Sequence, residues 1–322
     1  MDRLGLGYDS LRSSNPGLIY CSISGFGTTG PFRDRMGYDV VLSGMYGLMS
    51  ITGDEGGDPA KVGVAVTDVL TGSLAQGGIL AALHERNSTG TGRRVEVSLM
   101  ESQLAGLVNV ASSALNAPPG TPPPKRWGTS HESIVPYQTF RCKSSKDGED
   151  QFIVVGAGND TQFASFSRAL GKLELASDGR FETNAARVAN RQELIPILEK
   201  IFMKKTRDEW FQLLDGRGFP VGPVRNVPEA FSCPQAVERG MVTEFDHPVA
   251  GKVRLPGHPI RYSRMANVES EHDVAVASLP PPMLGEHTEE VLRDILCIAP
   301  EERARLEREG IVECWMGVNS KN

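Results

Sequence analysis

The sequence predicts an α/β protein with a mostly parallel sheet in its first half and a smaller α+β unit in its middle. Three observations lead there. Strand-like apolar runs alternate with small-residue helical runs between Leu18 and Leu115, and glycine-rich turns follow those strands. A stiff stretch from Pro118 to Pro124, proline except for Gly120 and Thr121, then separates this half from a segment of different texture. At 322 residues the chain exceeds the roughly 250–300 over which one core keeps growing, so two domains are expected.

The elements follow in order. Leu4 to Asn15 reads as the tail of a helical unit, with Asn15-Pro16-Gly17 as a turn. Leu18 to Ile23 is a buried strand running into Ser24-Gly25-Phe26-Gly27-Thr28-Thr29-Gly30-Pro31. Gly25, Gly27 and Gly30 match G-x-G-x-x-G, but Pro31 follows at once where a dinucleotide fingerprint should open a helix, so a plain turn fits equally well. Arg33 and Arg35 precede a helix from Val40 to about Ile51; they suit a phosphate or carboxylate, or solvent, and Asp39 suits an N-cap. Val64 to Val66 carries a strand signature, with Thr67 or Asp68 capping a long helix rich in Gly72, Ser73, Ala75, Gly77, Gly78, Ala81 and Ala82. Each glycine costs about 1 kcal/mol against alanine, which points to close approach by a helix or a ligand. Asp68, at the positive end of that helix, is a cap or a nucleophile on local grounds.

Val95 to Leu99 is an alternating strand and Met100 to about Leu115 another small-residue helix. Beyond the prolines, Lys125 to His131 is a polar, aromatic loop suited to lie over a pocket or to form a surface turn around Trp127. Residues 135–141 and 151–156 read as strands, and helices are expected near 161–170, 185–203 and 206–214. From Asn226 the chain is a long connection of short extended pieces punctuated by proline. A helix capped by Thr288 and a charged amphipathic helix over 301–309 close it. No internal repeat is visible.

Composition narrows the function. A net charge of -6 gives no basic field for nucleic acid or an anionic membrane, and no apolar run is expected to approach the roughly 20 residues of a membrane span. The five cysteines lie far apart without a C-x-x-C pair, which argues against zinc and a disulfide framework and for a reducing compartment; no metal ligand set is expected.

Several of these stretches together resemble the class III CoA-transferases (CaiB/BaiF type). They are Cys21 to Gly27 with Gly30-Pro31, Gly37-Tyr38-Asp39, Thr67-Asp68 with Gly77 to Leu83, Thr89-Gly90-Thr91-Gly92-Arg93, and Leu284 to Leu292. Arg126 to His131, Ser133 to Gln138 and Val154 to Asn159 are most similar to the branch that exchanges CoA between succinyl-CoA and dicarboxylates such as glutarate. The resemblance implies a partial Rossmann-like large domain (1–117), a smaller α+β domain inserted in the middle of the chain (118–225), and a linker with a C-terminal return to the large domain (226–322). It assigns Asp68 as the catalytic nucleophile. Gly25, Phe26, Gly27, Arg35 and Tyr38 would contact CoA. Asp39 would line the active site, and Gly128, Thr129 and His131 would form a mobile loop over the acyl group. It implies CoA thioesters as substrates with no permanently bound cofactor, carboxylic acid acceptors, and an interlocked homodimer.

Two other readings stand beside it. The racemase branch of the same fold typically has a His-Asp pair where this chain has Tyr38-Asp39, so its proton-transfer partner is missing. The third is an inactive CoA-binding or dimerising remnant, because Met1 aligns in the middle of the family pattern. Complete relatives begin with a further Rossmann-like segment that supplies strands and part of the CoA site. Its absence is expected to leave an exposed sheet edge and an uncovered apolar face, and the compartment, mitochondrial or cytoplasmic, stays open.

Overall fold

The structure is a computed structural model that describes residues 1–262, 273–274 and 279–315. The chain divides into two compact units, Met1–Val224 and Arg225–Asn322.

In the first unit, helix α1 (Tyr8–Ser14) leads to strand β1 (Tyr20–Ser24) through the expected turn, where the Asn15 side chain accepts from Gly17 N–H at 3.1 Å. Two short helices follow, α2 (Asp39–Met45) and α3 (Leu48–Ile51), where one helix was expected; Gly47 at φ +89° turns the chain between them. The long helix α4 (Val66–Thr89) ends on Gly90 in the left-handed conformation. Strand β2 (Arg94–Ser98) pairs in parallel with β1, Tyr20 opposite Arg94 and Ser24 opposite Ser98. The helix expected over 100–115 is also divided, into α5 (Leu99–Gly106) and α6 (Val108–Leu115), with Val108 at φ +42°. Gly92 has a visible reason: a Cβ there would stand 1.9 Å from the Leu18 carbonyl oxygen.

Val64 to Val66 is not a strand. Val64 and Val66 are exposed, Val66 N–H bonds back to Val64 C=O at 2.8 Å, and the helix starts at Val66; with no strand beside them among the described residues, these β-branched side chains have no ladder to join. Nor do Thr67 and Asp68 cap α4, whose N-cap position is Ala65. The expectation that no segment approaches a membrane span is likewise corrected. By length and composition α4 qualifies, because Val66, Val69, Leu70, Leu74, Ile79, Leu80 and Leu83, with Ala75, Ala81 and Ala82, outweigh its few charged residues. Of its glycines, only Gly78 is closely approached, by Val95 Cγ1 at 2.8 Å from the Cβ it lacks; Gly72 and Gly77 face open space.

The well-closed core lies further along. Strands β3 (Tyr137–Arg141), β4 (Phe152–Gly156) and β5 (Val221–Pro223) form an antiparallel sheet in the order β3-β4-β5. Helices α7 (Asp160–Ala169), α8 (Asn184–Ala189), α9 (Arg191–Phe202) and α10 (Arg207–Leu214) accompany it. Phe140, Phe163, Phe166, Phe202, Trp210 and Leu198 are buried together, with Phe140 stacked on Phe202 at 4.6 Å. The helix expected over 185–203 breaks at Asn190, and β5 was not foreseen. Arg187, fully buried, donates to Val135 C=O (2.6 Å), Phe181 C=O (2.9 Å) and Asp160 Oδ1 (2.9 Å) and lies over the Phe163 ring; burial pushes its pKa down. By contrast, β1 and the helices near it carry exposed apolar side chains, among them Ile23, Val69, Leu80 and Val108.

The second unit holds α11 (Val227–Phe231), α12 (Pro234–Glu238), the hairpin β6 (Val242–His247) and β7 (Gly251–Pro256), and the small pair β8 (Arg261–Tyr262) and β9 (Asp273–Val274). It closes with α13 (Thr288–Glu290), a π turn Val291–Ile295 and α14 (Pro300–Arg308). Thr288 is the first helical residue of α13, not its cap. The parallel pairing expected in the first half is the β1–β2 pair; the other pairings among the described residues, all later in the chain, are antiparallel.

Candidate functional site

The first turn of α4 is built from beneath by residues distant in sequence. Asp39, the first residue of α2, turns its carboxylate away from its own helix and accepts the Thr67 N–H through Oδ2 at 2.8 Å, capping α4 instead. The Thr67 hydroxyl donates to Gln103 Oε1 of α5 at 2.6 Å. Having one hydrogen, it receives the Ser43 hydroxyl at 3.2 Å as acceptor. Thr71 donates to the Thr67 carbonyl at 2.7 Å. Ser43, Thr67, Thr71 and Gln103 are all buried, so this network fixes the backbone on which Asp68 sits. Asp68 itself is exposed on that first turn and makes no hydrogen bond or ion pair with a described residue. A carboxylate with an immobile backbone, free oxygens and the helix N-terminus behind it is equipped to attack a carbonyl carbon.

The glycine loop joins this cluster. Gly25 and Gly37 pack back to back, a Cβ on Gly25 falling 3.1 Å from Gly37 Cα, and Gly25 C=O accepts from Met100 N–H at 3.0 Å. That contact brings Gly25, Phe26 and Gly27 beside Tyr38 and Asp39. Gly27 N–H is held by Ser24 Oγ at 3.1 Å, with Gly27 at φ +92°. The Phe26 ring is buried, edge-on to Phe32 at 5.8 Å and near Tyr46, so its side chain packs the loop and leaves only its backbone for a ligand. Arg35 is exposed, its guanidinium 3.9 Å over the Phe32 ring, and Tyr38 is 74% exposed.

Gly128, Thr129 and His131 lie elsewhere in their bonding. Gly128 N–H bonds to Gly53 C=O at 3.0 Å, the Thr129 and Thr139 hydroxyls meet at 2.7 Å, and His131 N–H bonds to Tyr137 C=O at 3.0 Å. Their hydrogen bonds thus run to the 53–58 loop, to β3, to Ser133 and to Arg191, and none reaches Asp68. Lys125, paired with Glu55 at 2.5 Å, holds that carboxyl below its ordinary range. Among the described residues no group of three or more His, Cys, Asp or Glu is placed to hold a metal.

Sequence reasoning missed Ser43 and Gln103. Gln103 carried a signal, as a lone amide among small and apolar residues of α5. Ser43, among Val, Leu and Gly, carried none.

Comparison with known proteins places these features. The family model described as CoA-transferase family III matches residues 1–288. Succinyl-CoA:glutarate CoA-transferase of Homo sapiens is 42% identical over 97% of this chain and 68% of its own length. Succinate–glutarate CoA-transferase of Agrobacterium fabrum is 37% identical over 91% of this chain and 69% of its own. Among solved structures, a CAIB/BAIF family protein from Brucella suis is 38% identical with a TM-score of 0.74, covering 91% of this chain and 72% of that one.

Proposed function

Because the chain belongs to CoA-transferase family III, we propose that it moves coenzyme A from succinyl-CoA to a dicarboxylate such as glutarate, with Asp68 as the nucleophile. The single observation that carries the assignment of Asp68 is its carboxylate, unpartnered among the described residues, on a first turn locked by Asp39, Thr67 and Gln103. The dicarboxylate pair is supported by the two relatives that bear those substrates in their names.

An Asp68 oxygen attacks the thioester carbonyl carbon. The C–S bond breaks, CoA leaves as thiolate, and an aspartyl-acyl anhydride remains. The thiolate then attacks the Asp68 carbonyl, forming aspartyl-CoA and releasing the donor acid. The acceptor carboxylate attacks aspartyl-CoA, expelling thiolate and forming a second anhydride. Thiolate attack on its acyl carbonyl gives the new thioester and restores Asp68. Each intermediate keeps the acyl activation that water would discharge, so the site must be dry, and backbone N–H groups must meet the developing oxyanions. The Gly25–Gly27 backbone is the reading's candidate for contacting CoA, with Arg35 offering charge to a phosphate and Tyr38 standing nearby. Gly128, Thr129 and His131 would cover the acyl group. A homodimer is part of the reading, supported by the exposed apolar side chains Val69, Leu80 and Val108.

The test is exchange of label from succinyl-CoA to glutaryl-CoA. Asp68→Ala is expected to lose transfer by at least about 1,000-fold while melting like the parent, as removal of a covalent nucleophile requires. Retained exchange in that variant overturns the assignment.

A further inference from the structure

The 125–132 segment is fastened at both ends, and one side chain reaches both fastenings. At the near end the Trp127 ring meets two cations, Lys125 Nζ 4.1 Å and the Arg191 guanidinium 4.6 Å from its centroid. Lys125 is tied to Glu55, and Arg126 Nη2 donates to Gly57 C=O at 2.6 Å, so this end is joined to the 53–58 loop. At the far end Arg191 Nη2 donates to His131 C=O at 3.2 Å and Glu132 C=O at 2.5 Å. Between the two ends, Ser130 N–H closes a turn onto Trp127 C=O at 2.9 Å. Arg191 is the first residue of α9, whose Leu194 and Leu198 are buried in the aromatic core, so the guanidinium has a rigid base.

We propose that Arg191 is a positioning residue that holds Gly128, Thr129 and His131 as one body with the β3–α9 unit, keeping water from the activated aspartyl intermediates. The proposal rests on the transferase reading for its chemistry, but its mechanical half stands on the contacts alone. The guanidinium centre lies over the indole while one terminal nitrogen, Nη2, donates to the two carbonyls. A lysine would have to serve the ring and both carbonyls from its single nitrogen, at a shorter reach. When the segment loosens, water attacks the anhydride's acyl carbonyl. Its oxygen ends in the released acid, the bond to the Asp68 oxygen breaks, and the CoA thiolate takes up a proton. The net reaction is thioester hydrolysis.

Two measurements on Arg191→Gln and Arg191→Lys test this. Amide hydrogen exchange, read without substrate, is expected to quicken by at least tenfold at Ser130 and His131 in Arg191→Gln, and less in Arg191→Lys, with the β3 and β4 amides unchanged. With succinyl-CoA and glutarate, the ratio of free thiol released to glutaryl-CoA formed is expected to rise at least tenfold in Arg191→Gln and to an intermediate value in Arg191→Lys. Exchange at the parent rate in both variants overturns the brace. Faster exchange with an unaltered hydrolysis ratio overturns its role in excluding water. Failure of the transferase reading shows separately, as transfer that survives Asp68→Ala, and leaves the exchange experiment decisive for the brace.

Discussion

Replacing Asp39 with alanine removes the acceptor of the Thr67 N–H and leaves the first turn of α4 without a side-chain cap, since Ala65 supplies none. Loss of a cap costs about 1 kcal/mol. A larger effect follows if the turn frays. Val66, Thr67 and Asp68 must then be re-ordered in each catalytic cycle, at about 1 kcal/mol of backbone entropy per residue. The cost to transfer therefore lies between about 1 and about 3 kcal/mol, or between about fivefold and about 150-fold in kcat. Asp39→Asn keeps an oxygen acceptor of equal capping strength and is expected to stay within about threefold of the parent. The assay is initial-rate CoA transfer at saturating substrates, paired with a thermal melt in which the alanine variant loses about 2–4 °C. Two results would refute the reasoning: an alanine variant with parental kcat, or an asparagine variant as impaired as alanine. The latter would show that the Asp39 charge, not its cap, is what matters.

Two further predictions concern the core around β3. Arg187→Met leaves the buried carbonyls of Val135 and Phe181 without their donor, at about 1–3 kcal/mol each, partly offset by methionine packing on Phe163. A net loss of about 3 kcal/mol is expected in urea unfolding, and a loss below about 1 kcal/mol would contradict the dependence of these buried carbonyls on Arg187. Cys142 is buried, and desolvation pushes its thiol from 9.0 up to about 11. Its folded-state value is the higher, so its contribution of about 3 kcal/mol is present below pH 9 and is lost as pH rises toward 11. Iodoacetamide at pH 8 is expected to label exposed Cys297 while sparing Cys142 until the protein is unfolded, as mass spectrometry of the two peptides would show.

What was legible in the sequence was local. The Asn15-Pro16-Gly17 turn, β1, β2, β3 and β4, and the long small-residue helix follow from turn chemistry, β-branched runs and periodicity within a few residues of one another. What was missed depends on partners. Val64 and Val66 look like a strand until one sees that no described strand lies beside them. Asp39 reads as the cap of its own helix because nothing nearby reveals Thr67 N–H, 28 positions away, as the better donor. The breaks at Gly47 and Val108 lie within runs whose apolar content alone suits a continuous helix, and β5 is three residues long, recruited only by pairing with β4. The candidate site shows the same division. Asp68, Gly25 and Gly27 stand in recognisable patterns, whereas Gln103, Ser43 and Arg191 take their roles from contacts that no local pattern encodes.

The central claim is that Asp68 carries the acyl group and then CoA covalently. The most direct measurement is mass spectrometry of the Asp68 peptide after turnover of succinyl-CoA in hydroxylamine. Hydroxylamine attack on either activated intermediate at the Asp68 carbonyl leaves a hydroxamate, about 15 Da heavier, on that residue. The account predicts this mass on the Asp68 peptide, with loss of activity in step with its appearance and no modification without acyl-CoA. An unmodified Asp68 peptide from enzyme that has turned over, or the same hydroxamate on another carboxylate, would contradict it.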